Sequence, residues 1–145
     1  MAEVKRTVLV GHSAARMFEL VDRVEDYPQF LPWCSGSSVE ARDAAVTRAT
    51  VHISFHGVKT SFSTANAKQA PSRMQITLIS GPFRALDGEW RFTDLGGTGC
   101  RIEFSLRYQF SNRLLEKMVG PVFGGIAGSL VDAFVQRADR LHGAG

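Results

Sequence analysis

The sequence holds few of the residues from which reaction centres are built. Its two cysteines, Cys34 and Cys100, stand in unrelated segments and form no Cys-x-x-Cys pair, so spacing argues against a thiolate zinc site. Two isolated thiols suit a reducing compartment, where they stay unbridged. The four histidines are His12, His52, His56 and His142. On one extended strand His52 and His56 would lie ~13 Å apart, too far to share a metal. The glycine-rich stretch Gly96-Gly97-Thr98-Gly99 is followed by neither a lysine nor a helix pattern, which excludes a phosphate-cradling loop. Ser35-Gly36-Ser37 lacks the strand-turn-helix setting of a nucleophile elbow. No apolar run approaches the ~20 residues of a membrane span. Thr7–Val10, after Lys5 and Arg6, is too short for a signal-peptide core. A cytoplasmic protein with no catalytic centre, no metal and no cofactor is the expectation.

What is present is ordinary for a globular chain. The 145 residues are 44% apolar and 21% charged, which predicts one domain over 1–145 with a single core. The net charge of +3 is a mild bias, compatible with an anionic partner but no evidence for one, and DNA is not expected. Among the 17 basic residues four are Lys and the rest Arg, the side chain suited to phosphate and carboxylate forks. A G+C-rich genome is the simpler source of that bias.

The longest pattern is the last. From Asn112 to His142 apolar residues recur at spacings of three and four, as on one wide helical face (Leu115, Val119, Val122, Phe123, Ile126, Leu130, Val131, Phe134, Ala138). At ~1.5 Å per residue such a helix is about 45 Å long and must lie across something broad. Gly120-Pro121 interrupts it, and Gly124, Gly125 and Gly128 follow. Proline removes a hydrogen bond and clashes with the preceding turn, so a kink or break near Val119–Pro121 is expected, or a second helix beginning at Pro121. The small residues either let a sheet pack closely or leave room for a ligand.

Before this segment the period is mostly two. Val4–Val10 reads as a strand, Ser13 as an N-cap and Ala14–Asp22 as a helix. The connector Tyr27-Pro28-Gln29-Phe30-Leu31-Pro32-Trp33 crowds large apolar side chains between two prolines. It must pack on the core or cap a cavity. Strands are then expected over Ser38–Ala41, Ala45–Phe55, Val58–Asn66, Arg73–Ser80, Leu86–Thr93 and Cys100–Phe110. The turns fall at Asp43, His56-Gly57, Pro71-Ser72, Gly81-Pro82 and Gly96–Gly99. The fold class is therefore α+β: an antiparallel sheet of six to seven strands with one wet face, wrapped around the terminal helix. Glu89 and Glu103 fall on the wet face as partners for Arg91, Arg101 or Arg107. Thr60, Thr64 and Tyr108 are the polar side chains expected to point inward. The inward aromatics either fill a core or line a greasy pocket, and composition does not separate the two.

Tyr27-Pro28-x-Phe30-Leu31-Pro32-Trp33-Cys34 resembles the signature of the coenzyme Q-binding protein family. This is a START-like, polyketide cyclase/dehydrase-like group with the helix-grip (Bet v 1-like) fold. Gly81-Pro82-Phe83 with Leu86 and Trp90-x-Phe92, Cys100-x-Ile102-Glu103-Phe104, and Val131-Asp132-Ala133-Phe134-x-x-Arg137-Ala138 extend the resemblance over essentially the whole chain. It implies binding of ubiquinone or a related isoprenoid lipid between sheet and helix, without catalysis, in support of respiration and with peripheral contact at the inner membrane. The alternative it implies is that of the ribosome association toxin branch, which binds the large ribosomal subunit and blocks subunit joining. That role asks for surface arginines such as Arg84, Arg91, Arg101, Arg107 and Arg113 against rRNA phosphates. A cyclase or dehydratase has only the superfamily name behind it. On the ligand reading, Tyr27, Phe30, Leu31 and Trp33 gate or line the entrance. Phe62, Trp90, Phe92, Phe104 and Phe123 form the walls, and Tyr108 orients ligand oxygens.

Overall fold

The computed structural model describes residues 1–97 and 99–143. Strand β1 (Ala2–Val10) leads into α1 (Ala14–Asp22) and a 3-10 turn (Val24–Gln29). Six strands follow: β2 (Cys34–Arg42), β3 (Val46–Phe55), β4 (Val58–Gln69), β5 (Arg73–Ser80), β6 (Phe83–Asp94) and β7 (Cys100–Phe110). Helix α2 (Arg113–His142) ends the described fold. The sheet order is β1-β7-β6-β5-β4-β3-β2, antiparallel throughout. Each hairpin adds one neighbour, and β1 pairs with the last strand.

Local chemistry explains the joints. The Ser13 hydroxyl accepts from the Arg16 backbone N–H and caps α1. His56 and Gly57 both take positive φ, which joins β3 to β4 in two residues. The Asp43 carboxylate accepts from the N–H groups of Ala45 and Val46 and closes the β2–β3 turn. The Gly96–Gly99 loop includes Thr98, which lies outside the described residues.

Several strand bounds differ from expectation. β2 begins at Cys34, not Ser38, because register shifts between Cys34 and Gly36 and between Val39 and Ala41 break its alternation. β4 runs on to Gln69, and β6 begins directly after Pro82.

The larger correction concerns α2. It has no break and no second start: one helix runs through Pro121. Proline removes the donor for one helical carbonyl. That local cost is outweighed by burial of Val119, Phe123, Ile126, Val131 and Phe134 against the sheet. By length and composition α2 also suffices to cross a membrane. Core helices of other folds pass the same test.

A polar weld fixes α1 and the 3-10 turn to the β2–β3–β4 edge. Asp22 accepts from the Thr47 hydroxyl at 2.7 Å and from the Lys68 ammonium at 3.1 Å. Both side chains are buried. Beside it Arg42 makes a two-pronged pair with Glu25, at 2.7 and 2.8 Å. Those Arg42 hydrogen bonds hold the Glu25 carboxyl at about 2, below its ordinary 4.5. A carboxyl with a depressed folded value stabilises fully above its unfolded value, and the gain disappears as pH falls through the folded one. The expected result is a urea midpoint that declines between about pH 4.5 and about pH 2, with a shallower decline in Glu25→Gln. Parallel declines in the two proteins would count against this pair.

On the wet face Glu89 pairs with Arg73 and Arg91, Glu103 with Arg101, and Glu3 with Arg107. Most of these pairs are exposed and contribute little to stability. Their effect is on surface charge, since three of the arginines expected to meet phosphate already face a carboxylate.

Candidate ligand cavity

Between α2 and the concave face of the sheet lies a cavity of about 100 Å³. Its walls are strand residues facing inward by alternation (Ala49, Val51, Phe62, Leu86, Trp90, Phe104, Leu106) and α2 residues one turn apart (Phe123, Ile126, Ala127, Leu130). The connector closes one end with Val24, Tyr27 and Trp33. Outside it, an open groove of about 700 Å³ runs along α2, lined by Phe30, Leu31, Trp33, Phe55, Val122, Ile126 and Arg137. Trp33 and Ile126 line both spaces and form the wall between them.

The hydrophobic connector is latched to the helix. Phe134 meets the Tyr27 and Phe30 rings edge-on at 5.3 and 5.4 Å, and the Trp90 ring at 5.6 Å. Arg137 lies over the Phe30 face, 5.0 Å from its centroid, and donates to Gln29 Oε1 at 2.9 Å. The Tyr27 hydroxyl donates to the Val21 carbonyl at 2.5 Å, and burial pushes that phenol far above its ordinary value. It is a structural group held neutral. The Cys34 and Cys100 thiols are free and buried, and desolvation raises both, Cys100 to about 11. Neither is an activated nucleophile. Among the described residues no three His, Cys, Asp or Glu side chains converge as a metal site.

The structure sorts the candidate residues. Tyr27, Trp33, Phe62, Trp90, Phe104 and Phe123 share the inner cavity, while Phe30 and Leu31 border the outer groove. Phe92 and Tyr108 reach neither space. Phe92 packs on Phe18 of α1 at 5.9 Å, and Tyr108 sits among Phe83, Phe110 and Phe123. Both face inward as alternation requires, but each lies under a different part of the cover. Thr60 also departs from expectation: it borders a shallow depression with Ser35, His52 and Lys59 near the β3–β4 turn. The strand outruns the helix there.

Thr64 does face the cavity, and with it Asn66, a residue that alternation alone marks as inward but polarity disguised. His12 is a second omission. It is 1% exposed, with Nε2 2.7 Å from Asp139 Oδ1 and Nδ1 3.2 Å from an Arg16 nitrogen. A guanidinium only donates, so Nδ1 accepts and the ring proton sits on Nε2 toward Asp139. The cluster clamps the end of β1 to the end of α2, away from the cavity.

Contact does not force the glycines of α2. A Cβ on Gly120 would stand 3.8 Å from the Phe110 ring and one on Gly124 3.6 Å from the Tyr108 hydroxyl, both ordinary contacts. At Gly125 and Gly128 it would meet nothing. Close packing on the sheet therefore does not account for them. Gly125 widens the groove.

A sheet gripping one long helix over an apolar cavity defines the START-like, Bet v 1-like class. A START superfamily protein from Mycobacterium smegmatis superposes with a TM-score of 0.79 at 23% identity, covering 96% of this chain and 98% of that one. Residues 10–135 match the polyketide cyclase/dehydrase and lipid transport family, and the chain belongs to that family. It is similar to the ribosome association toxin RatA of Escherichia coli K12, 40% identical over 99% of this chain and 91% of the relative. It is also similar to the mitochondrial coenzyme Q-binding protein COQ10 homolog B of Xenopus laevis, 26% identical over 97% of this chain and 59% of the relative.

Proposed function

We propose that this chain is a non-enzymatic binder of a quinone-like isoprenoid lipid. The ring lies in the inner cavity and the tail in the groove along α2, joined past Trp33 and Ile126. The observation that carries this reading is an apolar, aromatic-walled cavity lying directly behind Trp33 and Ile126, which also line the larger groove. The coenzyme Q-binding relative supports the ligand class. Among the described residues the cavity wall holds no carboxylate, imidazole or amine, and its one phenol, Tyr27, donates to the Val21 carbonyl, which supports the non-enzymatic reading over a cyclase. The cavity is smaller than the ~150 Å³ that holds benzene in an engineered core. A substituted ring thus enters only if half-buried Phe62, Ile76 or Leu130 moves outward. Such a carrier works in the cytoplasm with peripheral contact at the inner membrane, where its ligand resides.

Trp33 and Trp90 both line the cavity, so short-chain ubiquinone quenches tryptophan fluorescence on binding. The expected result is saturable quenching in the wild type, weakened at least tenfold in Ala127→Leu, which fills the cavity. Linear, unsaturable quenching in both proteins rejects the proposal.

One comparison favours a second reading, association with the large ribosomal subunit: the 40% identity to RatA across nearly the whole chain. The wet face of the sheet is a poor phosphate platform, because Arg91, Arg101 and Arg107 already face carboxylates. A better one is the start of α2, where exposed Arg113, Lys117, Leu114 and Met118 sit beside Arg84, which reaches the Ser111 carbonyl. Co-sedimentation with large subunits that weakens steeply with salt and with Arg113→Glu/Lys117→Glu supports this reading. Its absence at low salt rejects it.

A further inference from the structure

The outer face of α2 lacks the charge that a surface helix usually carries. From Met118 to Ser129 the sequence holds no ionisable side chain, although Met118, Pro121, Gly125, Gly128 and Ser129 are all exposed. The most apolar 18-residue window of the helix is only 33% buried. At steps of four and three, Leu114, Met118, Pro121 and Gly125 form one stripe along it. The first two are the most exposed large apolar side chains of α2, at 66% and 62%. The last two line the groove. An open, uncharged stripe therefore leads from the start of α2 into the groove.

The surroundings of that stripe are basic. Arg113 and Lys117 flank it and are exposed. Arg84, near the start of β6, donates to the Ser111 carbonyl at 3.4 Å. The Ser111 N–H donates to the Pro82 carbonyl at 3.0 Å, which fixes the β5–β6 turn beside the start of the helix. Ile79, 50% exposed near the end of β5, lies at this end of the sheet. The acidic residue of the first turn is Glu116. It is two residues from both Leu114 and Met118 and so falls on the opposite side of the helix.

Resting on the binding function proposed above, we infer that the start of α2 is the docking surface for an anionic phospholipid bilayer. Leu114 and Met118 enter the boundary between headgroups and acyl chains, and Arg84, Arg113 and Lys117 meet the phosphates. Aliphatic side chains that water surrounds in the free protein gain by entering hydrocarbon. Basic side chains beside them add attraction to an anionic leaflet. A helix that combines the two lies in the interface with its apolar stripe downward. Ribosomal RNA would engage the same three cations, but it offers an exposed Leu–Met pair no apolar phase. Docked this way, the groove opens at the bilayer, and an isoprenoid tail enters it past Pro121 and Gly125 without crossing water.

Vesicle co-sedimentation of the full chain tests this, with an equal mixture of phosphatidylcholine and phosphatidylglycerol against phosphatidylcholine alone. The wild type is expected to partition onto the anionic vesicles at least about tenfold more strongly, since each cation near the surface contributes about fivefold. Leu114→Ser/Met118→Ser leaves every charge in place and is expected to weaken that partition at least about tenfold. Arg113→Gln/Lys117→Gln is expected to remove most of the preference for anionic lipid. All four positions are exposed, and an unchanged urea midpoint shows that the variants fold. Both variants should keep wild-type quenching by short-chain ubiquinone, because these side chains line neither the cavity nor the groove.

No wild-type binding to anionic vesicles overturns the inference, and so does binding that Leu114→Ser/Met118→Ser leaves unchanged. If that variant instead loses large ribosomal subunits, or turns a dimer into a monomer, while vesicle binding is absent or unaltered, the stripe serves RNA or a second copy and the inference falls. Saturable quinone quenching without vesicle binding leaves the carrier function standing. Vesicle binding without saturable quenching rejects the carrier function and leaves the docking surface.

Discussion

Trp90→Ala is expected to lower stability by about 3–5 kcal/mol, the range for emptying a large aromatic from a packed core. Trp90 is 2% exposed and stands where three elements meet. Its ring lies 4.4 Å from Phe104 of β7, is parallel to Phe92 at 5.8 Å on its own strand, and is perpendicular to Phe134 of α2 at 5.6 Å. Removing it enlarges an existing cavity, and the neighbours relax only in part because Phe134 is also held by the connector rings. Stabilities of ordinary domains are about 5–15 kcal/mol, so the variant should be marginal. The urea midpoint measures the effect, and a loss below about 1 kcal/mol would show that this ring is not the centre of the core.

Asp22→Ala should be nearly as damaging although no apolar surface is lost. It leaves the Lys68 ammonium, 6% exposed, without an anion and the Thr47 hydroxyl, 0% exposed, without an acceptor. Breaking a buried ion pair from one side costs about 3–5 kcal/mol, because a charge stays buried without compensation. Replacing both partners is a different experiment. Asp22→Leu with Lys68→Met removes the stranded charge and should recover most of the loss. Thermal unfolding of the two variants beside the wild type separates these cases. A double variant as unstable as Asp22→Ala would mean that the weld acts through Thr47 and Arg42, not through the ion pair.

How much of this was legible depended on whether one element's pattern sufficed. Strand β7 alternates without exception, and its bounds match expectation residue for residue. The Ser13 cap, the His56-Gly57 turn and the inward set of β3 follow from equally local rules. The family resemblance, carried by the Tyr27–Cys34 connector, agreed with the family match and with the fold.

What escaped was set by distant parts of the chain. Pro121 reads locally as a break, yet a helix seated along a whole sheet tolerates it. Thr60 and Asn66 share one alternating stripe of β4, but only Asn66 lies under the helix. Phe92 and Tyr108 face inward as well as Trp90 does, yet α1 and the Phe83–Phe110 cluster cover them before any ligand space is reached. His12 finds its carboxylate 127 residues away, a pairing no local spacing encodes.

On the proposed function, the space between sheet and helix holds a lipid. Native mass spectrometry of protein purified from a quinone-producing host, with organic extraction of the same sample, tests it most directly. The expected spectrum contains a second mass offset by one isoprenoid quinone, recovered in the extract and missing from Ala127→Leu. A single unliganded mass that stays unchanged when ubiquinone is offered would contradict the account and turn attention to the exposed start of α2.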